Sequence, residues 1–220
     1  MGLSVSQDSG RRGCVDSIRG LLAAVESFDE MDLLGPSRCP GWTRLDVVVH
    51  VVAGWHEMLG GLVSVVDAAP TVDAASYWNA FQDAAADEDP VLVLMAQRRR
   101  TAAYARPSSA TAHLHDVAEA VLRGVDVLSG KPLLWQGLVF EPGDFLTAWA
   151  VEHVVHQLDL MSDVAAPASA LDLARATVES LAGEPLPADW TVEDAVLIGT
   201  GRLPVPEGSD TDAARYPVLG

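Results

Sequence analysis

Cysteine is nearly absent: the 220 residues contain two, Cys14 and Cys39. Two cysteines build neither a disulfide scaffold nor a cysteine-rich zinc site, and they suit a reducing compartment. Basic residues are scarce as well, 14 against 31 acidic ones, for a net charge of −17. A chain this acidic is repelled by phosphate backbones and by anionic lipid surfaces, which argues against nucleic acid and membrane as partners. The main basic run, Arg98-Arg99-Arg100, is too short to reverse that and reads as a solvated helix face. Long apolar runs are missing too. The most apolar stretch, residues 47–66, is interrupted by His50, His56, Glu57 and glycines, so it reads as a buried helix rather than a membrane span. Residues 1–10 are polar with no apolar core, unlike a signal peptide, so a cytoplasmic location is expected.

What is plentiful is apolar residue, 49% against 20% charged, which implies a packed core and excludes intrinsic disorder. The length allows one large domain, or a domain with a small appendage.

The elements read as helices. Val15, Ile18, Leu22 and Val25 form one helical stripe in a first helix of about residues 8–29. Gly35-Pro36 and Pro40-Gly41 mark a loop. Thr43 and Asp46 then form a capping box, with Trp42 placed to pack on Val47 as a hydrophobic staple, and a second helix runs to about residue 66. Residues 67–89 are looser, with a short helix around Tyr77 and Phe81. Asp89-Pro90 opens a third helix to about residue 105. Pro107-Ser108-Ser109 reads as its break, and a fourth helix covers about 110–128. Residues 133–140 read as extended, and Glu141-Pro142-Gly143-Asp144 as a turn that supplies a cap for a helix over about 145–163. A small C-terminal unit comes next, with a helix near 171–181, a second capped start at Trp190-Thr191-x-x-Asp194, and a loose Gly- and Pro-rich end. The repeated Trp-Thr-x-x-Asp pattern is read as two good helix starts. Long helices with few strand signals imply a mainly α fold, a helical bundle.

The chemistry gathers on the helix near the end. Glu152 and His156 are four apart and therefore share one face, one turn apart. With Asp159 and Asp163 they make a polar stripe among Val151, Val154, Val155, Leu158 and Leu160, and polar groups on an apolar helix need partners. His50 sits within Val47-Val48-Val49-His50-Val51-Val52, with Gly54 one turn on leaving space beside it. A His plus a Glu-x-x-x-His on two helices supplies the three ligands of an open metal site. Spacing alone equally describes a solvated pair and a hydrogen-bonded core histidine, and it does not say that the two helices meet. His113 and His115, two apart, point to different sides of a helix and read as solvated. His56 falls on a different face from His50, while Glu57 shares its face and is a weak candidate for a fourth ligand or for a residue supporting one. Cys39 reads as a small buried thiol.

Two segments carry a resemblance. Cys39-Pro40-Gly41-Trp42-Thr43-x-x-Asp46-Val47-x-x-His50 and Trp149-x-x-Glu152-His153-x-x-His156-x-x-Asp159-Leu160 resemble the two motifs of the mycothiol-dependent maleylpyruvate isomerase N-terminal domain family, within the DinB-like superfamily. Gly199-Thr200-Gly201-Arg202-Leu203-Pro204 resembles the end of many such chains. The resemblance implies a DinB-like four-helix bundle over residues 1–165, with 166–220 as a small, partly irregular C-terminal extension. It implies a divalent metal, Zn²⁺ foremost, on His50, Glu152 and His156, and mycothiol as thiol cosubstrate. Trp42 and Trp149 are candidate walls of the thiol pocket. Asp159 is a candidate partner of His156 or proton carrier, and Arg202 a candidate contact to a carboxylate or sugar of the ligand. The implied activity is addition of the thiol to an electrophilic small molecule, as S-transfer or cis–trans isomerisation, by a monomer or homodimer. The family's characterised isomerase type has a larger C-terminal α/β domain, which helps close over the thiol, than the fifty or so residues that follow the bundle here. The alternative is a DinB-like protein that binds a metal or ligand without turnover, or a purely structural bundle.

Overall fold

The computed structural model describes residues 2–85, 88–209 and 211–219. The first long helix, α1 (Gln7–Glu26), starts where the Ser6 side chain accepts the Ser9 N–H. It ends before Asp29, which the sequence places in the same helix. Asp29 instead caps a separate short helix, α2 (Glu30–Leu33), accepting the N–H groups of Met31 and Asp32. Helix α3 (Arg44–Val63) begins at the expected capping box: the Thr43 hydroxyl accepts the Asp46 N–H, and the Asp46 carboxylate accepts the Thr43 N–H. It stops short of Val66, whose N–H pairs with the Pro132 carbonyl.

Helix α4 (Ser76–Ala85) realises the short helix read around Tyr77, and α5 (Pro90–Thr101) has the Asp89 cap and first-turn proline. Two prolines do the opposite of what a break would. Pro107 and Pro142 each occupy the first turn of a helix, α6 (Pro107–Asp126) and α7 (Pro142–Asp159). A proline fits there because the first-turn N–H has no intrahelical partner and its fixed φ is already helical. Between them, Leu133–Trp135 (β1) and Leu138–Phe140 (β2) pair as an antiparallel hairpin. Its two turn residues, Gln136 and Gly137, both have positive φ, 50° and 78°. Asp144 is not a cap: buried inside the first turn of α7, it accepts the Val5 N–H at 2.7 Å.

Helices α1, α3, α6 and α7 form the bundle, with α1 lying along α7 and α3 along α6. Glycines permit the closest approach: a Cβ on Gly10 would stand 2.4 Å from the Gly143 carbonyl oxygen, and one on Gly143 2.0 Å from that of Val5. Every residue of α7 is buried except Glu152. The third helix read from the sequence, α5, stands outside the bundle, with Gln97 its one buried residue, donating to the Asp46 carbonyl at 2.8 Å. Helix α8 (Ala168–Ala182) packs on α1 and α7, and α9 (Val192–Gly199) on α8. Ala170, Ala174, Val196 and Leu197 join the main core, whereas Val178, Ala182, Leu186, Trp190, Ala195 and Ile198 make a smaller one. Among the described residues, no helix is long and apolar enough to cross a membrane.

Candidate functional site

The Thr43 cap sets the phase of α3 so that His50 emerges from an otherwise buried valine run, half-exposed, toward α7. Glu152, the half-exposed residue of α7, meets it there. His50 Nε2 lies 3.3 Å and His156 Nε2 3.1 Å from the same carboxylate oxygen, Glu152 Oε1. The imidazole rings of His50 and His156 stand 4.7 Å apart, edge to face. The three donor atoms lie within 4.8 Å of one another. A tetrahedral ion with bonds of about 2.0–2.1 Å needs donors roughly 3.3 Å apart, which the two histidine-to-Glu152 spacings match.

Behind the triad, Asp159 is fully enclosed. Its Oδ2 lies 3.1 Å from His156 Nδ1, so a proton held on Nδ1 leaves Nε2 free to offer its lone pair. Asp159 also receives the Cys39 thiol at 3.1 Å and a two-pronged bond from Arg202, Nε at 3.2 Å and Nη2 at 3.1 Å. Arg202 is aimed by the end of α9. Its N–H bonds the Leu197 carbonyl and that of Gly201 the Ile198 carbonyl, the pair of bonds that closes a helix over a left-handed glycine, here with φ of 71°. The third prong, Nη1, goes to the Thr200 carbonyl, so the guanidinium is occupied within the protein.

These charges hold one another. Burial would raise the Glu152 carboxyl, but His156 and His50 beside it keep it well below the usual range. Burial would lower His156, but the Glu152 charge and the Asp159 hydrogen bond raise it. Asp159, pushed up by burial, is pulled below its ordinary range by His156 and Arg202. The neighbouring His153 is a different kind of residue. It is buried, with Trp55 donating to its Nε2 at 2.7 Å and its Nδ1 3.0 Å from the Ser17 hydroxyl, which itself donates to the Cys14 carbonyl. Nδ1 must therefore carry the proton, and burial brings its pKa down to about 3.

Other candidates fall into place around this centre. Trp42 packs against His50, ring centroids 5.2 Å apart. Trp149 fills the space beside Gly54 that the sequence reads as open: a Cβ on Gly54 would meet its ring at 3.3 Å. Asp163 lies beyond the end of α7, past the positive φ of Met161, and so leaves the polar stripe. Glu57 accepts from Gln136 at 3.3 Å and does not join the triad. His56 and His113 meet at a tilt, ring centroids 5.3 Å apart, and Tyr104 bonds His113, so the latter is only partly solvated. Cys39 was legible as a thiol near the motif, but its bond to Asp159 required the fold. A cleft of about 190 Å³ opens beside His50 and Glu152, lined further by Tyr77, Trp78, Phe81, Arg100, Trp135 and Trp149. Of the two tryptophans the sequence offers as pocket walls, Trp149 lines this cleft and Trp42 does not; the α4 rings were legible only as a short helix.

A family model described as the mycothiol maleylpyruvate isomerase N-terminal domain matches residues 14–161. Two solved structures share the fold: a crystal structure of the mycothiol-dependent maleylpyruvate isomerase and one of its histidine-to-alanine mutant. Each superposes with a TM-score of 0.54 over 79% of this chain and 70% of the other, at 14% and 13% identity. No curated protein matches by sequence.

Proposed function

The chain belongs to the mycothiol maleylpyruvate isomerase N-terminal domain family, and on that premise we propose that it is an enzyme holding a divalent ion on His50, Glu152 and His156 and using it to activate mycothiol toward an electrophilic small molecule. The observation that carries this reading is the convergence of three donor atoms within 4.8 Å, from helices about a hundred residues apart in sequence, with both histidines about 3.3 Å or less from one Glu152 oxygen. Zn²⁺ suits two imidazoles and a carboxylate, and Fe²⁺, Ni²⁺ or Mn²⁺ accept the same set. When bound, such an ion supplies Lewis acidity that keeps a thiol as its nucleophilic thiolate at neutral pH.

The chain's own residues do the rest. Asp159 keeps the His156 proton on Nδ1 and so presents Nε2 outward. Arg202 holds Asp159 ionised and in place, and serves as a positioning residue. Trp42 packs on the His50 ring and holds its orientation, while Trp149 walls the cleft beside His50 and Glu152. In the reaction, the thiol sulfur forms a bond to an electrophilic carbon, and the thiol's proton ends on the carbon beside it. If the adduct persists, the outcome is S-transfer. If it eliminates after rotation about the former double bond, the outcome is cis–trans isomerisation, as with maleylpyruvate. We assign the bundle to residues 1–165 and the role of delivering Arg202 to the extension, 166–220.

The test is metal analysis of the purified protein together with mycothiol conjugation to maleylpyruvate and to a model electrophile. About one metal per chain, lost together with activity in His50→Ala, is expected. Protein without stoichiometric metal whose His50→Ala variant keeps full turnover would falsify the reading. Metal without any conjugate would leave a binding module instead.

A further inference from the structure

The cleft beside the triad has walls that neither a metal ion nor a thiol requires. Tyr77 and Phe81 are four apart on α4 and share a face, with Trp78 between them. Trp135 from the hairpin bridges to both sides: its ring lies 5.3 Å from Tyr77 and 4.9 Å from Trp149. Trp149 stands three residues before Glu152 on α7, so its indole lies one turn from the carboxylate that faces the cleft. The result is a slot of aromatic faces leading to Glu152 and His50. The indole N–H groups of Trp78 and Trp149, both buried, find no acceptor among the described residues.

The charges around the slot are few. Glu57 and Glu152 are its acids and Arg100 the cation among its lining residues. The Arg100 side chain is exposed, with no ion-pair or hydrogen-bond partner among the described residues. The Arg98–Arg100 run, read from the sequence as solvated, thus puts one member at the mouth of a cleft. At about 190 Å³ the space is smaller than the roughly 300–1,000 Å³ of drug-sized pockets, so one or two rings fill it.

We propose that this cleft receives a flat, conjugated ligand, an aromatic or quinoid ring system carrying at most one acidic group. Its ring lies between the aromatic walls, its acid points to Arg100, and its reactive carbon to the Glu152 end. Flat π systems gain offset and edge contacts from such walls that a flexible chain does not. With Glu152 engaged by the ion of the proposed centre, the slot keeps one cation, Arg100, and one carboxylate, Glu57, so a second acid on a ligand meets no further cation among the lining side chains. The assignment rests on the metal–thiol reading for the reactive step only; the binding stands apart from it.

The test is therefore done without thiol. Unreactive 2-naphthoate is titrated calorimetrically into the full chain, both zinc-loaded and in excess chelator because a carboxylate also ligates an open zinc position, with maleate as the small dicarboxylate. The naphthoate is expected to bind about tenfold tighter or more. Ala53→Trp, which fills the slot, is expected to abolish naphthoate binding with zinc content unchanged. Arg100→Gln, at an exposed position, is expected to weaken naphthoate roughly two- to fivefold and to leave 2-naphthol, which has no acid, unaffected. Maleate binding as tightly as naphthoate, or equal naphthoate affinity in Arg100→Gln and Ala53→Trp, overturns the assignment. Should Ala53→Trp not fold, the Arg100→Gln comparison still decides. Failure here leaves the metal centre untouched, whereas a protein that binds naphthoate yet holds no metal refutes only the metal–thiol reading.

Discussion

Replacing Asp159 by Asn probes the support of the proposed metal centre without touching one of its proposed ligands. The carboxylate is fully enclosed and receives four hydrogen bonds: one from His156, one from Cys39 and two from Arg202. Asparagine has the same shape but no charge, and its NH₂ must face a donor on one side or the other. Breaking a buried ion pair by removing one partner costs about 3–5 kcal/mol. Arg202 retains 21% side-chain exposure, so water recovers part of this, and a loss of about 2–3 kcal/mol is expected. For a chain of this size that is roughly 5–10 °C in Tm. The same change lets the His156 ring turn and lose its tautomer, which weakens metal binding by about 10- to 100-fold. Urea melts in excess chelator read the first quantity, and zinc competition against a chromophoric chelator the second. Asp159→Asn protein that folds with the zinc affinity of the parent chain would show that Asp159 does not set the His156 ring. A stability loss below about 0.5 kcal/mol would show that Asp159 and Arg202 are not a coupled pair.

Gly143→Ala is expected to cost about 3 kcal/mol or more in denaturant melts, because its methyl would stand 2.0 Å from the Val5 carbonyl oxygen, a backbone atom that no side-chain rotation can move. A loss under about 1 kcal/mol would mean that the α1 terminus yields easily. His153→Phe keeps a ring but strands the Trp55 N–H in the core, while the Ser17 hydroxyl keeps its bond to the Cys14 carbonyl, so a loss of about 1–3 kcal/mol with unchanged zinc stoichiometry is expected; lost metal in the folded variant would make His153 part of the centre. Burial raises the Asp144 pKa to about 6, above its unfolded value. The raised acid is tolerated protonated, so its contribution is whole at pH below about 4 and lost as pH rises through about 6. Stability of the parent chain relative to Asp144→Asn should fall across that window, by no more than about 2 kcal/mol once water near the carboxyl is allowed for; a difference that grows with pH instead would refute the burial argument.

Much of this was readable locally. The Thr43–Asp46 box, the Asp89-Pro90 start and the Thr191 cap are bonds between residues three or fewer apart, and chain chemistry alone decides them. Glu152 and His156 share a face because a helix repeats every 3.6 residues. Prolines were the weak point. Pro107 and Pro142 both open helices, and whether a proline ends one element or begins the next depends on how the chain after it packs. Asp144 looked like a cap because its neighbours are turn formers, yet its partner is the Val5 N–H, 139 positions earlier.

By itself, then, the sequence determined the helical class, most helix starts and the Glu152/His156 half of the site, since each comes from periodicity or from hydrogen bonds within one turn. Only the tertiary structure decided that His50 meets Glu152, that Asp159 is clasped by Arg202 and Cys39, and that five aromatic rings face one slot. Those meetings depend on which helix faces are buried against which, and burial is a property of the whole bundle that no short window of residues contains.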